Sequence, residues 1–317
     1  SEAERTFAAP QNWTEHGFKT LSLWFSGAAN NVAGQMYVKV NGSKVTYDGD
    51  AGNLTRGGWQ TWNINLASVG VNLQNVTKLA VGIDGNGAKG TLYLDDIRLY
   101  PYDRQFITPI EPPLGGLIGH WKFDGDARDY SGLGNHGTIG GNPTFVAGKV
   151  GTNALNLDGS DYVAIDGVVN DITSTNLTLS VWVKTTQSSE GNVFAANDSA
   201  SGYALLFGVQ GGNPYRWDGA DAQYPPVVND GQWHLLTYVR SGATGYIYVD
   251  GFLRASYPSS FSLGTVTRWS IGQEWDDSSP SDFYNGAVDD ARFYNRALSQ
   301  EEIAWLAGLT KPFDKPF

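Results

Sequence analysis

The sequence predicts an all-β fold, arranged as two antiparallel β-sandwich domains in tandem. Three observations carry that expectation. Glycine occurs 40 times in 317 residues, beside 16 Tyr, 14 Phe and 11 Trp, a composition suited to short aromatic strands joined by tight turns. Apolar residues alternate with polar ones in short runs, and the strand patterns follow one another without intervening helices. A proline-rich stretch, PYDRQFITPIEPPLGG at residues 101–116, then divides the chain, because prolines 101, 109, 112 and 113 lack the amide hydrogen that a strand ladder needs.

The first domain is expected over residues 1–101. KTLSLWF puts Leu21 and Leu23 on one face, although Trp24 breaks the strict alternation. QMYVKV ends at Asn41-Gly42, a hairpin signal. WQTWNINL alternates Trp62, Ile64 and Leu66, and two further strands, the last being TLYLDDIRL, close the set. Residues 102–113 read as a linker in extended geometry. The second domain is expected over 114–309, where the same grammar recurs in GHWKF, ALNLD, YVAI, LTLSVWVKT, YALLFGV, WHLLTYV, YIYVDG, RWSIG and GAVDDARFY. One helix is expected, at SQEEIAWL, where Ser299 and Glu302 form a capping box. Residues 310–317 read as a loosely held end.

Composition excludes several functions. Hydrophobic residues make up 41% and charged residues 17%, which describes a globular chain. The net charge of −11, with no basic stripe, repels phosphate backbones, so nucleic acid is not the expected partner. The same acidity argues against a highly anionic polysaccharide unless a basic cleft or a bridging calcium intervenes. With no cysteine there is no thiolate metal site and no cysteine nucleophile. Histidines 16, 120, 136 and 234 are dispersed, without the pairing of a transition-metal site. No apolar run is long enough to span a membrane. The chain starts at Ser1 without a leader peptide, and the expectation is a secreted protein from which a leader or preceding domains have been removed.

Three segments, GLIGHWKFDGDARDYSGLGNHGTI, DGQWHLLTYVRSGATGYIYVDG and GAVDDARFYNRALSQEEIAWL, lie in that order within 114–309. Together they resemble a laminin-G-like, concanavalin A-like jelly roll. Residues 1–101, through KTLSLWFSG and TLYLDDIRLYP, resemble bacterial carbohydrate-binding jelly rolls of the galactose-binding-like class. The resemblance implies a non-catalytic carbohydrate-binding module pair, part of a larger secreted bacterial chain, placed beside glycan-degrading enzymes, sulfatases or adhesins. It also implies a structural calcium between the first and last strands.

The residues suggest where calcium would sit. Asp95-Asp96 and Asp289-Asp290 each lie near the end of their domain's sheet. Neighbours on a strand point to opposite faces, so one carboxylate of each pair should turn inward and need a partner. Asp124, Asp126, Asp129 and Asn135 form an oxygen-rich turn that could reach Asp289, and calcium takes such ligands. In the first domain, Glu2 and Glu4 are the candidates to meet Asp95 or Asp96. Solvated turn carboxylates are the alternative for both sets.

The candidate glycan-binding residues are aromatic and flanked by hydrogen-bonding groups. Tyr215, Arg216, Trp217 and Asp218 follow a GGNP turn, and Trp275 and Asp276 sit in the acidic stretch Glu274–Asp277. Packing between loops is the alternative. Trp121, Trp182 and Trp233 read as core, and Trp59, Tyr47 and Asp48 are weaker candidates in the first domain. Related glycanases carry Glu-x-Asp-x-x-Glu on a strand. Only Glu274-Trp275-Asp276 approaches it, with Ser278 and Ser279 where the second Glu belongs. The reading is therefore a non-catalytic module. A calcium-stabilised adhesion module and a small polysaccharide hydrolase or lyase remain as alternatives.

Overall fold

The strand patterns fold into two compact units, Ser1–Pro109 with Thr310–Phe317, and Ile110–Leu309. The computed structural model describes residues 1–32, 34–198, 202–276 and 279–317. Among these, no helix is long and apolar enough to cross a membrane.

In the first unit a four-stranded sheet runs in the order Glu2–Gln11, Val76–Asp84, Gln35–Val40, Ser43–Thr46. A three-stranded sheet runs in the order Gln60–Asn65, Thr20–Ser26, Tyr93–Tyr100. All pairs are antiparallel. Leu21, Leu23, Phe25, Trp62 and Ile64 from one sheet meet Met36, Val38, Val40 and Val76 from the other in a shared core. Asn41 and Gly42 adopt φ of 48° and 87°, the doubly left-handed geometry that an Asn-Gly hairpin supplies.

The reading of 310–317 as a loosely held end is corrected. Phe313–Asp314 pairs with Phe106–Ile107, a strand inside the stretch expected to be linker. The Asp314 carboxylate accepts from the Asn63 amide at 3.1 Å and from Arg104 at 2.5 and 2.9 Å. Arg104 also holds Asp48 at 2.6 and 2.8 Å. A two-residue strand has no period to detect, and a carboxylate anchor 210 residues away along the chain leaves no local mark.

In the second unit a seven-stranded antiparallel sheet has the order Thr138–Gly140, Tyr162–Ala164, Val266–Ile271, Gly191–Asp198, Tyr203–Gln210, Asn213–Trp217, Asp221–Gln223. The second sheet has the order Thr144–Ala147, Asn153–Asp158, Asn285–Tyr294, Leu177–Lys184, His234–Ser241, Thr244–Val249, Phe252–Pro258. Its eighth strand, Leu117–Trp121, also pairs with Asn285–Tyr294, so the first and last long strands of this unit lie side by side. Leu179, Val181, Val183 and Leu236 from this sheet pack with Phe194, Leu205, Phe207 and Ile271 from the other.

The two outer faces differ. Helix Gln300–Leu306, capped as expected by Ser299 and Glu302, packs Ile303 and Leu306 over Trp182, Leu235 and Tyr294 on the eight-stranded sheet. On the seven-stranded sheet Val163 enters the core, so its neighbour Tyr162 faces out. A short hairpin, Glu274–Asp276 with Ser279–Ser281, lies there and stacks Trp275 edge-to-face on Tyr162.

Candidate functional site

The stretch expected to be a binding loop at 215–218 is largely a strand, Asn213–Trp217, and its two-residue period splits the candidate set. Arg216 pairs in register with Phe207, which faces the core, whereas Trp217 pairs with Leu206 on the other face. Arg216 is 6% exposed and Asp218 2%. The guanidinium lies 3.8 Å over the Tyr257 ring, bonds to Asp218 and the Ala220 carbonyl, and reaches the Tyr224 hydroxyl at 3.2 Å. Asp218 also accepts from the Tyr238 hydroxyl at 3.0 Å. Burial raises the Asp218 pKa, and hydrogen bonds and Arg216 only partly offset it. Tyr215 is buried too, donating to Asp221 at 3.0 Å. Arg216 and Asp218 are thus corrected from ligand contacts to interior partners, and Tyr215 is buried on the same face as Trp217.

Trp217 stays half-buried, resting on Ala195, Leu206 and Tyr215. It lines a cavity of about 260 Å³ with Asp198, Ser260, Phe261, Ser262 and Thr265. Asp198 is held in a turn, accepting from the Gly202 amide at 3.0 Å. An indole, a carboxylate and three hydroxyls therefore share one opening. Of this lining only Trp217 stands out in the sequence, because its partners come from segments remote in the chain.

Trp275 is half-buried on the outer face, 5.7 Å between ring centroids from Tyr162, with the Arg268 guanidinium 4.7 Å over its own ring. Asp276 is exposed beside it. Asp277 and Ser278 lie outside the described residues.

The expected calcium sets do not assemble. Asp129 is buried and satisfied by the His120, Ser131 and Asn135 amides, at 2.9, 2.7 and 2.9 Å, and by the Ser131 hydroxyl at 2.7 Å. Burial alone would raise its pKa, but these donors hold it below the usual carboxylate range. Asn135 donates its amide to Ile118 and Asp171, both at 2.7 Å. Asp126 accepts from the Arg128 amide at 3.0 Å. Asp124 and Asp289 clamp one loop from two sides. Asp124 takes the Thr152 and Asn153 amides at 2.6 and 2.9 Å, and Asp289 takes those of Lys149 and Val150 at 2.7 and 2.8 Å. Asp290 pairs with His120 at 2.6 Å and Arg292 at 3.1 Å. The oxygen-rich turn is held together by backbone amides. Only Asp289 keeps a buried oxygen without a partner, and burial lifts its pKa to about 6.

Both Asp-Asp pairs sit at β-bulges. The register slips between Asp95 and Arg98 and between Asp289 and Arg292, and the second Asp turns left-handed, with φ of 52° at Asp96 and 46° at Asp290. Each then meets the Arg two residues on, at 2.5 Å for Asp96 and 3.1 Å for Asp290. A bulge breaks the strand alternation, so the two carboxylates of each pair do not take opposite faces as in a regular strand. In the first unit Glu2 bonds Tyr37 and Lys39, both at 2.6 Å, and Glu4 bonds Lys78 at 2.9 Å. Their strand belongs to the four-stranded sheet and Asp95-Asp96 to the three-stranded one, so these pairs do not meet.

Among the described residues, one acidic group has metal-ligand spacing: Glu190, Glu274 and Asp282, whose nearest oxygens lie within 4.8 Å of one another. Glu274 is 3% exposed, and burial followed by Asp282 pushes its pKa up to about 9. Glu190 is half-buried and receives the Gln210 amide at 2.6 Å. The sequence places Glu274 in the acidic stretch beside Trp275 and in an incomplete glycanase motif, while Glu190 and Asp282 stand at no recognisable spacing.

Residues 157–304 match the family model of the concanavalin A-like lectin/glucanases superfamily. Among solved structures, domain 4 of an extracellular arabinanase from Geobacillus stearothermophilus, in complex with arabinotriose, is similar at a TM-score of 0.50 and 22% identity, over 60% of this chain and 98% of that one. A Trypanosoma rangeli sialidase in complex with an inhibitor aligns at a TM-score of 0.48 and 17% identity, over 63% of this chain and 35% of its own. No curated protein matches the chain. The arabinanase domain shares the fold, a nearly all-β sandwich of antiparallel sheets, with residues 157–304 carrying the family's sequence pattern.

Proposed function

We propose that the unit Ile110–Leu309 is a non-catalytic carbohydrate-binding module of a secreted, multidomain bacterial protein. The Trp217 cavity carries the reading. A sugar ring offers C–H groups to an aromatic face and hydroxyls to acceptors and donors, and the indole with Asp198, Ser260, Ser262 and Thr265 supplies both kinds of partner. A chain of net charge −11 favours a neutral glycan. The match to a lectin superfamily and the fold shared with an arabinanase domain crystallised with arabinotriose support the same direction. Trp275, with Tyr162 and Arg268, extends the surface available to a longer chain. The first unit completes the pair as a galactose-binding-like module, and calcium serves as a structural ion.

A glycan array that includes arabinan fragments, probed with the whole chain and with Trp217→Ala, tests this. Binding of a neutral glycan that the variant loses is the expected result. An array without a single bound glycan would overturn the reading.

A further inference from the structure

We infer that the saccharide site at Trp217 continues across the loop 259–265 into a second cavity, bounded by Trp269 and residues 172–175, and that its ligand is a neutral oligosaccharide lying over both. This second subsite rests on the carbohydrate reading above and deepens it from a single sugar to a chain.

One loop is a wall of both cavities. Ser260, Phe261 and Thr265 line the cavity of about 260 Å³ beside Trp217, and Leu263, Gly264 and Val266 line another of about 400 Å³. Ser262 lines both. This shared wall is fixed from within. Phe261 is 7% exposed, with the Arg240 guanidinium 4.3 Å over its ring and bonded to its carbonyl at 2.7 Å. The segment 172–175 is fixed as well. The Asn295 side chain accepts from the Ser174 amide at 3.0 Å and donates to the Asp171 carbonyl at 3.1 Å and the Thr173 hydroxyl oxygen at 2.7 Å. Walls already held in place spend little ordering entropy on a ligand.

The second cavity differs from the first in its chemistry. Asp198 gives the Trp217 cavity a carboxylate acceptor, whereas none of the described residues lining the second is charged. Its hydroxyls already serve as acceptors within the protein. Thr173 accepts from Asn295, Ser174 from the Asn176 amide at 3.0 Å, and Ser262 from the Gly264 amide at 3.2 Å. A hydroxyl that accepts keeps its own proton to donate, so these three present O–H donors. Trp269 adds a fourth donor: the residue is 0% exposed, and its indole N–H has no acceptor. Buried polar groups without partners are rare in folded proteins, and each needs an explanation. The ring and hydroxyl oxygens of a sugar are acceptors for such donors, and Ile172, Leu263 and Val266 give its C–H groups apolar surface. Asp166, whose carboxylate holds the Trp269 backbone amide at 2.9 Å, and the net charge of −11 disfavour an anionic sugar at this end.

The test is calorimetric titration of the whole chain with arabino-, xylo- and cello-oligosaccharides of one to six sugar units, and with the same lengths of any other neutral polymer bound on the array. In the series that binds, affinity is expected to rise with length and then level off, gaining roughly tenfold from the hydrogen bonds made in the second cavity. Thr173→Val/Thr175→Val, at two exposed positions, should bind the shortest ligand as the parent does and lose most of that gain. Trp217→Ala should lose binding at every length. A spectroscopic readout accompanies the affinities. The indole N–H resonance of Trp269, assigned with Trp269→Phe, should move downfield with the longest oligosaccharide and stay in place with the shortest. Length-independent binding that Trp217→Ala removes overturns the second subsite and leaves the carbohydrate reading standing. A length gain that the double variant keeps, or a Trp269 resonance that no oligosaccharide moves, overturns the subsite as well. If no oligosaccharide binds, the carbohydrate reading falls and the subsite falls with it.

Discussion

Arg216 and Asp218 show how a polar pair can be structural in a place that invites a functional reading. Both are almost fully buried, and the tyrosines around them satisfy what the pair leaves open. Removing one partner strands the other as a buried charge, so Arg216→Ala should lower unfolding free energy by about 3 kcal/mol, read from urea midpoints. Trp217→Ala, one residue away but half-exposed, should cost about 1 kcal/mol, and its effect should fall on glycan binding instead. His234 gives a pH signature. Its Nδ1 lies 2.9 Å from Asp250 and its Nε2 3.2 Å from Asp230. Burial opposes the charged ring, but the two carboxylates prevail and raise its pKa. The folded value therefore lies above the unfolded value of about 6.5, so the stabilisation is complete below that pH and declines as pH rises through the folded pKa. Urea midpoints of the parent should fall over that window more steeply than those of His234→Gln. Parallel profiles would remove His234 from the account.

At the scale of elements, two bulges recur in one sequence context, Asp-Asp-x-Arg at 95–98 and 289–292. The left-handed residue at each explains why a short polar side chain stands there, since Asp tolerates positive φ better than branched residues do. Asp96→Val should destabilise by about 1–2 kcal/mol through backbone strain. Asp96→Gly should stay within about 1 kcal/mol of the parent, because it loses only a surface pair with Arg98. Denaturant melts of the two variants settle the comparison, and equal losses would point to the ion pair instead of the backbone. These elements also show what the sequence could reveal. Strands with clear alternation, such as Leu21–Leu23 and Trp62–Ile64, were readable, as were the Asn41-Gly42 hairpin and the Ser299 cap. Residues 215–218 were not, because a strand that buries Arg216 on its inner face, with Asp218 buried just beyond its end, has no apolar period there. The Asp-Asp pairs misled because a bulge is a register event between two strands, invisible in either alone. Trp217 could be singled out by its polar neighbours, but Asp198, Ser260 and Thr265 join it only through the fold.

At the scale of the molecule, the chain's last residues complete its first unit. Asp314 satisfies the Asn63 amide and Arg104, and Phe313 is buried with Ile107. Ending the chain at Leu309 should lower the thermal midpoint of the first unit and leave that of the second in place, as two transitions in calorimetry would show. Loss of both transitions together would contradict this division. The helix Gln300–Leu306 covers one outer face of the second unit, while Trp217 lies on the other sheet and Trp275 on the hairpin packed against it. The proposed ligand site therefore belongs to the side of the sandwich that the helix does not cover. The most direct measurement is calorimetric titration of a neutral glycan from the array into the whole chain and into Trp217→Ala. Saturable binding to the parent and none to the folded variant is the expected result. Equal binding to both would place the ligand elsewhere and contradict the assignment of the Trp217 cavity.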